Sequence, residues 1–207
     1  MNLYVINGAI GAGKSTFIGK FLHEFELSDA EYINADYYVR NVFSDNKIDF
    51  MIRYNMAKKL REYKLNKAML TGSDIIYEVV LAKISKLEFI KLCKRNGYHI
   101  VGIFIGVNDI NTTINRISNR ANCGNWISIG DDKVINRYNC VMDYLFDFFL
   151  LSDEFIAFDN TGLKYELGVY KNATDYYFSS QNRWINDYLC SNSLVKEKIS
   201  SYNILEI

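Results

Sequence analysis

The chain has 207 residues, 49% of them hydrophobic and 23% charged, which is the composition of a folded globular domain and excludes a disordered, fibrous or low-complexity chain. Its 24 basic residues balance 24 acidic ones, and a net charge of zero argues against broad nucleic-acid binding, which needs a basic surface. Cys93, Cys123, Cys140 and Cys190 form no C-x-x-C pair, so reduced thiols in a cytoplasmic protein are expected rather than a zinc site.

The first stretch carries the strongest pattern. Leu3 to Ile6 reads as a strand and runs straight on from the N-terminus, with no room for a cleavable leader. Gly8-Ala9-Ile10-Gly11-Ala12-Gly13-Lys14-Ser15 then fits the phosphate-loop pattern G-x-x-x-x-G-K-[ST]. Phosphate oxygens must meet several backbone N–H groups at once, and glycines keep side chains clear of that approach. Gly8, Ala9, Gly11, Ala12, Gly13, Lys14, Ser15 and Thr16 are therefore the expected nucleotide-binding residues, with Lys14 at the β and γ phosphates and the Ser15 hydroxyl on Mg²⁺. A helix from Thr16 to Phe25 follows, its N-terminal dipole facing the anion and Phe17, Phe21, Leu22 and Phe25 on its apolar face.

Strands and helices alternate through the rest of the chain, the signature of a parallel α/β sheet. Glu31 to Asn34 is a short strand ending at Ala35-Asp36, and Tyr37 to Val42 is a turn or the start of a helix. Ile52, Met56, Leu60 and Tyr63 mark one face of a helix from about Asp49 to Lys67, which Thr71-Gly72-Ser73 breaks. Strands at Asp74 to Val80 and His99 to Val107 enclose a helix at Ser85 to Arg95, stopped by Asn96-Gly97. Asp109 to Ala121 is helical, with Ile110, Ile114 and Ile117 inward and Arg116 and Arg120 four apart on another side. A loop at 122–130, a helix from about Asp131 to Leu151 and a strand at Glu154 to Phe158 complete five strands, and Gly168 to Ile207 is expected to pack on the sheet's edge. The richest apolar run, Tyr144 to Leu151, is short and broken by Asp147, so no membrane span is expected. The expected architecture is an α/β P-loop NTPase/kinase fold: an open, mostly parallel five-stranded sheet with helices on both faces, one domain over 1–207 with its core at about 1–162 and an extension at 163–207.

In open α/β sheets ligands bind beyond the carboxyl ends of the strands. Asp36 and Glu78 fall at such ends, so two carboxylates share the phosphate loop's end of the sheet, where one can hold Mg²⁺ through water and one can accept a hydroxyl proton. The alternative is that Asp36 caps a helix and Glu78 pairs with a lysine. Arg116, Arg120 and Arg137 flank the 122–130 loop, where planar guanidinium groups suit a transferring phosphoryl group, or else lie on solvated helix faces. His23 and His99 stand in no motif and are read as structural. Asn46-Lys47-Ile48-Asp49 and Asp159-Asn160-Thr161-Gly162 match two GTPase motifs in the reverse of their required order, and are accidental.

Taken together, NGAIGAGKSTF, YINADYYVR, DIIYEVVLAK, NGYHIVGIFIGV, INRISNRANCGN, VINRYN and FIAFDNTG, between Leu3 and Gly162, resemble in content and order the zeta-toxin family of P-loop kinases. The resemblance implies transfer of phosphate from ATP, with Mg²⁺, to a sugar hydroxyl of a small-molecule substrate, a nucleotide sugar such as UDP-N-acetylglucosamine, and it raises the question of an antitoxin-like partner. It also implies Asp36 as general base, Glu78 as a substrate-site carboxylate, and Arg120 and Arg137 as phosphate-binding groups; Arg116 is expected to bind substrate together with Asp36 and Glu78. Glu78 is followed by Val79 where the family usually has threonine, and Cys123-Gly124-Asn125 stands where many relatives have Gly-Gly-His. A nucleoside or deoxynucleoside kinase is the alternative enzyme, although no E-R-S or D-R-S triplet follows the third strand. A nucleotide-binding switch that transfers no phosphate is the alternative of another class.

Overall fold

Apolar runs as continuous as Leu3–Ile6, Ile75–Val79 and Ile100–Val107 have no polar face to give to water, so they bury both faces in a parallel sheet covered by helices. The computed structural model describes residues 1–24, 29–122 and 130–206. Along the chain run β1 (Asn2–Asn7), α1 (Lys14–Glu24), β2 (Glu31–Ile33), α2 (Ala35–Asn41), α3 (Phe50–Thr71), β3 (Ile75–Val79), α4 (Ile84–Arg95), β4 (His99–Gly106) and α5 (Ile110–Asn122). After them come α6 (Asp131–Asp143), α7 (Leu145–Leu151), β5 (Glu154–Asp159), β6 (Glu166–Lys171), β7 (Asp175–Phe178), α8 (Trp184–Cys190), α9 (Ser193–Ser200) and β8 (Asn203–Glu206).

The strands form one sheet in the order β2-β3-β1-β4-β5-β6-β7-β8. Strands β1 to β5 are parallel, β6 runs antiparallel to both β5 and β7, and β8 is parallel to β7. The register brings functional ends level: Ile6 pairs with Glu78, Ile33 with Tyr77 and Gly106 with Asp159. One face of the sheet buries Leu3, Val5, Ile100, Phe104 and Phe155 with the larger part of the core, and the other buries Ile6, Ile76, Val101, Ile103 and Ile105 under Phe17 and Ile18 of α1.

The sheet has eight strands, not the expected five. The three further strands come from the stretch after Gly162, which extends the sheet instead of only packing on its edge, and α8 contacts β6 while α9 contacts α7 and β8. The helix expected over 131–151 is two, α6 and α7, meeting at Tyr144 so that α6 buries Val134, Val141 and Met142 while α7 turns Leu145, Phe148 and Phe149 into the core. The apolar face expected on α3 is also different. Of the four expected residues Ile52, Met56 and Tyr63 are exposed and Leu60 packs against the core, while Ala57, Leu65 and Ala68 are the buried ones, the two alanines letting the helix lie close to its neighbours α2 and β2. Phe25, the side chains of Phe21, Leu22 and His23, and the loop residues Cys123, Gly124 and Asn125 lie outside the described residues. His99 pairs with Glu154 at 3.0 Å across neighbouring strands. Among the described residues no helix is long and apolar enough to cross a membrane.

Candidate active site

The loop after β1 is shaped by its glycines and by a clamp from far along the chain. A Cβ on Gly8 would lie 2.3 Å from the Ile105 carbonyl oxygen, so the loop leaves the sheet closer to β4 than any side chain permits. Gly13 has φ +99°, and a Cβ there would lie 2.3 Å from Asn160 Nδ2. Asn160 Nδ2 donates to the Ala12 carbonyl at 2.8 Å, and the Tyr165 hydroxyl donates to the Gly13 carbonyl at 2.9 Å. The segment after β5 therefore fixes the loop's shape from 148 residues away. Lys14 is buried, with Nζ donating to the Gly8 and Ala9 carbonyls at 2.9 Å each, and burial pushes its pKa down.

Beside the loop, Glu78 at the end of β3 is a hub. Its Oε1 accepts from Ser15 Oγ at 2.8 Å, and its Oε2 accepts from the Tyr32 hydroxyl at 2.5 Å and from Asn34 Nδ2. A serine hydroxyl paired with a carboxylate at a phosphate loop is a hard-oxygen donor set, so these residues fit Mg²⁺. Glu78 is thus tied to the serine of the loop, and no lysine is its hydrogen-bond partner among the described residues. Asn34 carries the network onward. Its side-chain oxygen accepts from the Asp36 and Tyr37 backbone N–H groups at 2.6 and 3.1 Å, making Asn34 the N-cap of α2.

Because Asn34 caps the helix, the Asp36 side chain does not. Asp36 sits in the first turn of α2, within electrostatic reach of Lys14, Glu78, Arg40 and Lys86. Burial raises its pKa first, against the pull of Lys14. That favours proton acceptance by a carboxylate otherwise too weak a base for an alcohol.

The three arginines separate. Arg120 of α5 lies within electrostatic reach of Lys14 and of Tyr165, on the nucleotide side. Arg137 of α6 lies within reach of Tyr54 and Lys86, on the side of Asp36. Arg116 is tied to the turn after β5, where its Nη2 donates to the carbonyls of Asn160 and Gly162 at 2.8 and 3.3 Å. The structure thus gathers Lys14, Ser15, Asp36 and Glu78 at one end of the sheet and ties Arg116 to the turn whose Asn160 clamps the phosphate loop.

Sequence reasoning did not assign Tyr32, Tyr165 or Asn7. Tyr32 and Tyr165 act through hydroxyls whose partners lie 46 and 152 residues away, which no local pattern encodes. Asn7 is fully buried, and its Oδ1 accepts from the Leu81 backbone N–H at 3.0 Å, holding the segment after β3 against the loop. A polar residue ending an otherwise apolar strand was the available signal.

No protein-family profile matches the chain, and no curated protein matches it in sequence. Solved structures do match in fold. A chain of the PezAT chromosomal toxin–antitoxin system of Streptococcus pneumoniae superposes with a TM-score of 0.53 at 15% identity, over 77% of this chain and 67% of that one. A chain of the AvrRxo1-ORF1:AvrRxo1-ORF2 complex, solved with sulphate ions and also with ATP, superposes with TM-scores of 0.67 and 0.66 at 12% identity, over 97% of this chain and 63% of that one. The present chain therefore spans less than two thirds of that relative's length. A candidate kinase from Chloroflexus aurantiacus gives a TM-score of 0.52 at 13% identity, over 64% of this chain and 74% of that one. The fold is that of the P-loop kinases, mixed α/β with a mostly parallel sheet, and the resemblance to the zeta-toxin family read from the sequence holds at the level of the fold.

Proposed function

We propose that the protein is an ATP-dependent kinase that phosphorylates a hydroxyl of a small molecule, a nucleotide sugar such as UDP-N-acetylglucosamine being the acceptor the sequence resemblance favours. The observation that carries this reading is the single network running from Ser15 through Glu78 and Asn34 to the helix that bears Asp36. A protein that only bound nucleotide would need the loop and Ser15. It would not need a second carboxylate, held by the same network and made more basic by burial.

Within this reading the phosphate loop, Lys14 and Thr16 hold the triphosphate, and Lys14 exchanges the Gly8 and Ala9 carbonyls for phosphate oxygens. Mg²⁺, when bound by Ser15 with Glu78 behind it, supplies neutralisation of the β and γ phosphate charge. Asp36 takes the proton of the acceptor hydroxyl, the new O–P bond forms at the γ phosphorus, and the bond to the bridging β–γ oxygen breaks as ADP leaves. Arg120 from the nucleotide side and Arg137 from the acceptor side stabilise the transferring group. Glu78 positions Ser15 and Asn34. One neighbour comes from a toxin–antitoxin system and another from a two-protein complex, which supports a protein partner of that kind here.

The test is incubation of purified protein with γ-labelled ATP, Mg²⁺ and pools of nucleotide sugars and of nucleosides. Label in a nucleotide sugar supports this reading, and label in a nucleoside would replace it with a nucleoside kinase. Tight ATP binding with no labelled product would make the protein a switch.

A further inference from the structure

Helix α3 places a cation where its pattern calls for an apolar residue. Ala57, Arg61, Leu65 and Ala68 recur at helical spacing, and the other three are buried. The Arg61 side chain is only 21% exposed, and its Nη2 meets Glu62 at 3.2 Å. Its Nε is buried without a hydrogen-bond partner among the described residues. A buried guanidinium nitrogen without an acceptor is costly, and a bound anion would satisfy it.

A second cation lies within electrostatic reach of the first. Lys86 of α4 reaches back to the end of β3, donating from Nζ to the Val80 carbonyl at 2.5 Å, two residues past Glu78. Arg61, Lys14 and Arg137 all lie within electrostatic reach of Lys86. Tyr54 links this group to the catalytic carboxylate, being within reach of Asp36 on one side and of Arg61 and Arg137 on the other. Of the carboxylates within reach, Glu62 meets only Nη2 of Arg61 and leaves Nε bare, Glu78 already accepts from three donors, and Asp36 is the proposed base.

We propose that Arg61 and Lys86, with Arg137 beside them, form an anion-binding subsite that holds a phosphate or carboxylate group of the acceptor while its hydroxyl lies at Asp36. The proposal rests on the kinase reading and adds to it the two residues, from α3 and α4, that select a charged acceptor over a neutral one. Burial first, and the surrounding cations second, depress the Lys86 pKa to about 8, and an anion among them restores its charge. Arg61 supplies planar donors matched to such a group, and Lys86 supplies a point charge. Neutral sugars have nothing to offer these groups and are poor acceptors.

Calorimetric titration of inorganic pyrophosphate, and separately of citrate, into protein saturated with Mg²⁺ and a non-hydrolysable ATP analogue tests this, because the analogue occupies the phosphate loop. Wild type should bind at least one of the two anions, and the stronger identifies the chemistry. Arg61→Met with Lys86→Met keeps the apolar stems and should weaken that binding at least tenfold, each charged hydrogen bond contributing about that factor or more, with analogue affinity unchanged and a melting temperature no lower than the wild type's. Arg61→Lys, which keeps the charge and removes the fork, should fall between the two and guards against misfolding of the double variant. Absence of binding of both anions to the saturated wild type, or binding that the double variant retains, would overturn the subsite. Failure of the analogue itself to bind would instead strike the kinase reading, and pyrophosphate binding to Lys14→Ala protein would then judge the subsite by itself.

Discussion

Replacing Glu78 by alanine should cost stability before any ligand is added. Three donors end on this carboxylate: Ser15 Oγ, the Tyr32 hydroxyl and Asn34 Nδ2. Ser15 is exposed and water can replace its partner, so its loss costs little. Asn34 is only 5% exposed, so its amide hydrogen is left unsatisfied at about 1–3 kcal/mol. Tyr32 is half-buried, and about half that penalty applies to it. The sum is about 1.5–4.5 kcal/mol. For a chain of this size each kcal/mol moves the midpoint by about 2–4 °C, so the melting temperature should fall by about 3–18 °C. Glu78→Gln retains one acceptor oxygen and should lose roughly half as much. Differential scanning calorimetry on the nucleotide-free protein reads both. A fall below about 2 °C in Glu78→Ala would refute the reasoning, since it would mean that Asn34 and Tyr32 do not depend on Glu78.

Lys14→Ala should abolish measurable ATP binding by calorimetry while circular dichroism stays that of the wild type, because the ammonium's present partners are two carbonyls of the phosphate loop. Arg120→Ala should lower turnover by roughly 10³-fold with a much smaller change in ATP affinity, the magnitude expected of an arginine that stabilises transferring charge. A loss below about tenfold would return Arg120 to a solvated helix face. Lys171 is almost fully buried, its Nζ donating to the Phe149 and Ser152 carbonyls at 2.7 Å each, and burial lowers its pKa to about 7. Between that pH and the ordinary lysine value the unfolded chain binds a proton that the folded one does not, so wild-type stability should rise relative to Lys171→Met from pH 7 to pH 10 in denaturant melts. A flat difference would contradict the depressed value.

What the sequence made legible was whatever lay within one strand–turn–helix. The phosphate loop is contiguous, and β1, β3 and β4 are buried on both faces, so composition alone marks them. Asp36 and Glu78 were found because strand ends are predictable even when partners are not. The clamp of Asn160 and Tyr165 on the loop was hidden, since it joins residues 148 and 152 apart. The strands β6 to β8 escaped because they mix polar with apolar residues and are half-exposed, β8 wholly exposed, unlike the buried runs of β3 and β4. Helix α3 misled for another reason: Ile52, Met56 and Tyr63 face outward, while Ala57, Leu65 and Ala68 are buried and Leu60 packs beside them. Arg61 on that buried stripe reads as a solvated charge until the helix is placed.

The central claim is that Asp36 accepts the proton of the attacked hydroxyl, and the variant Asp36→Asn addresses it most directly. Asparagine keeps the shape of the side chain, and the helix cap belongs to Asn34, so α2 is undisturbed. Initial rates of label transfer from γ-labelled ATP to an acceptor confirmed with the wild type, at saturating ATP and Mg²⁺, should fall by about 10²- to 10⁴-fold, with ATP affinity unchanged. Near-wild-type turnover in Asp36→Asn would contradict the mechanism.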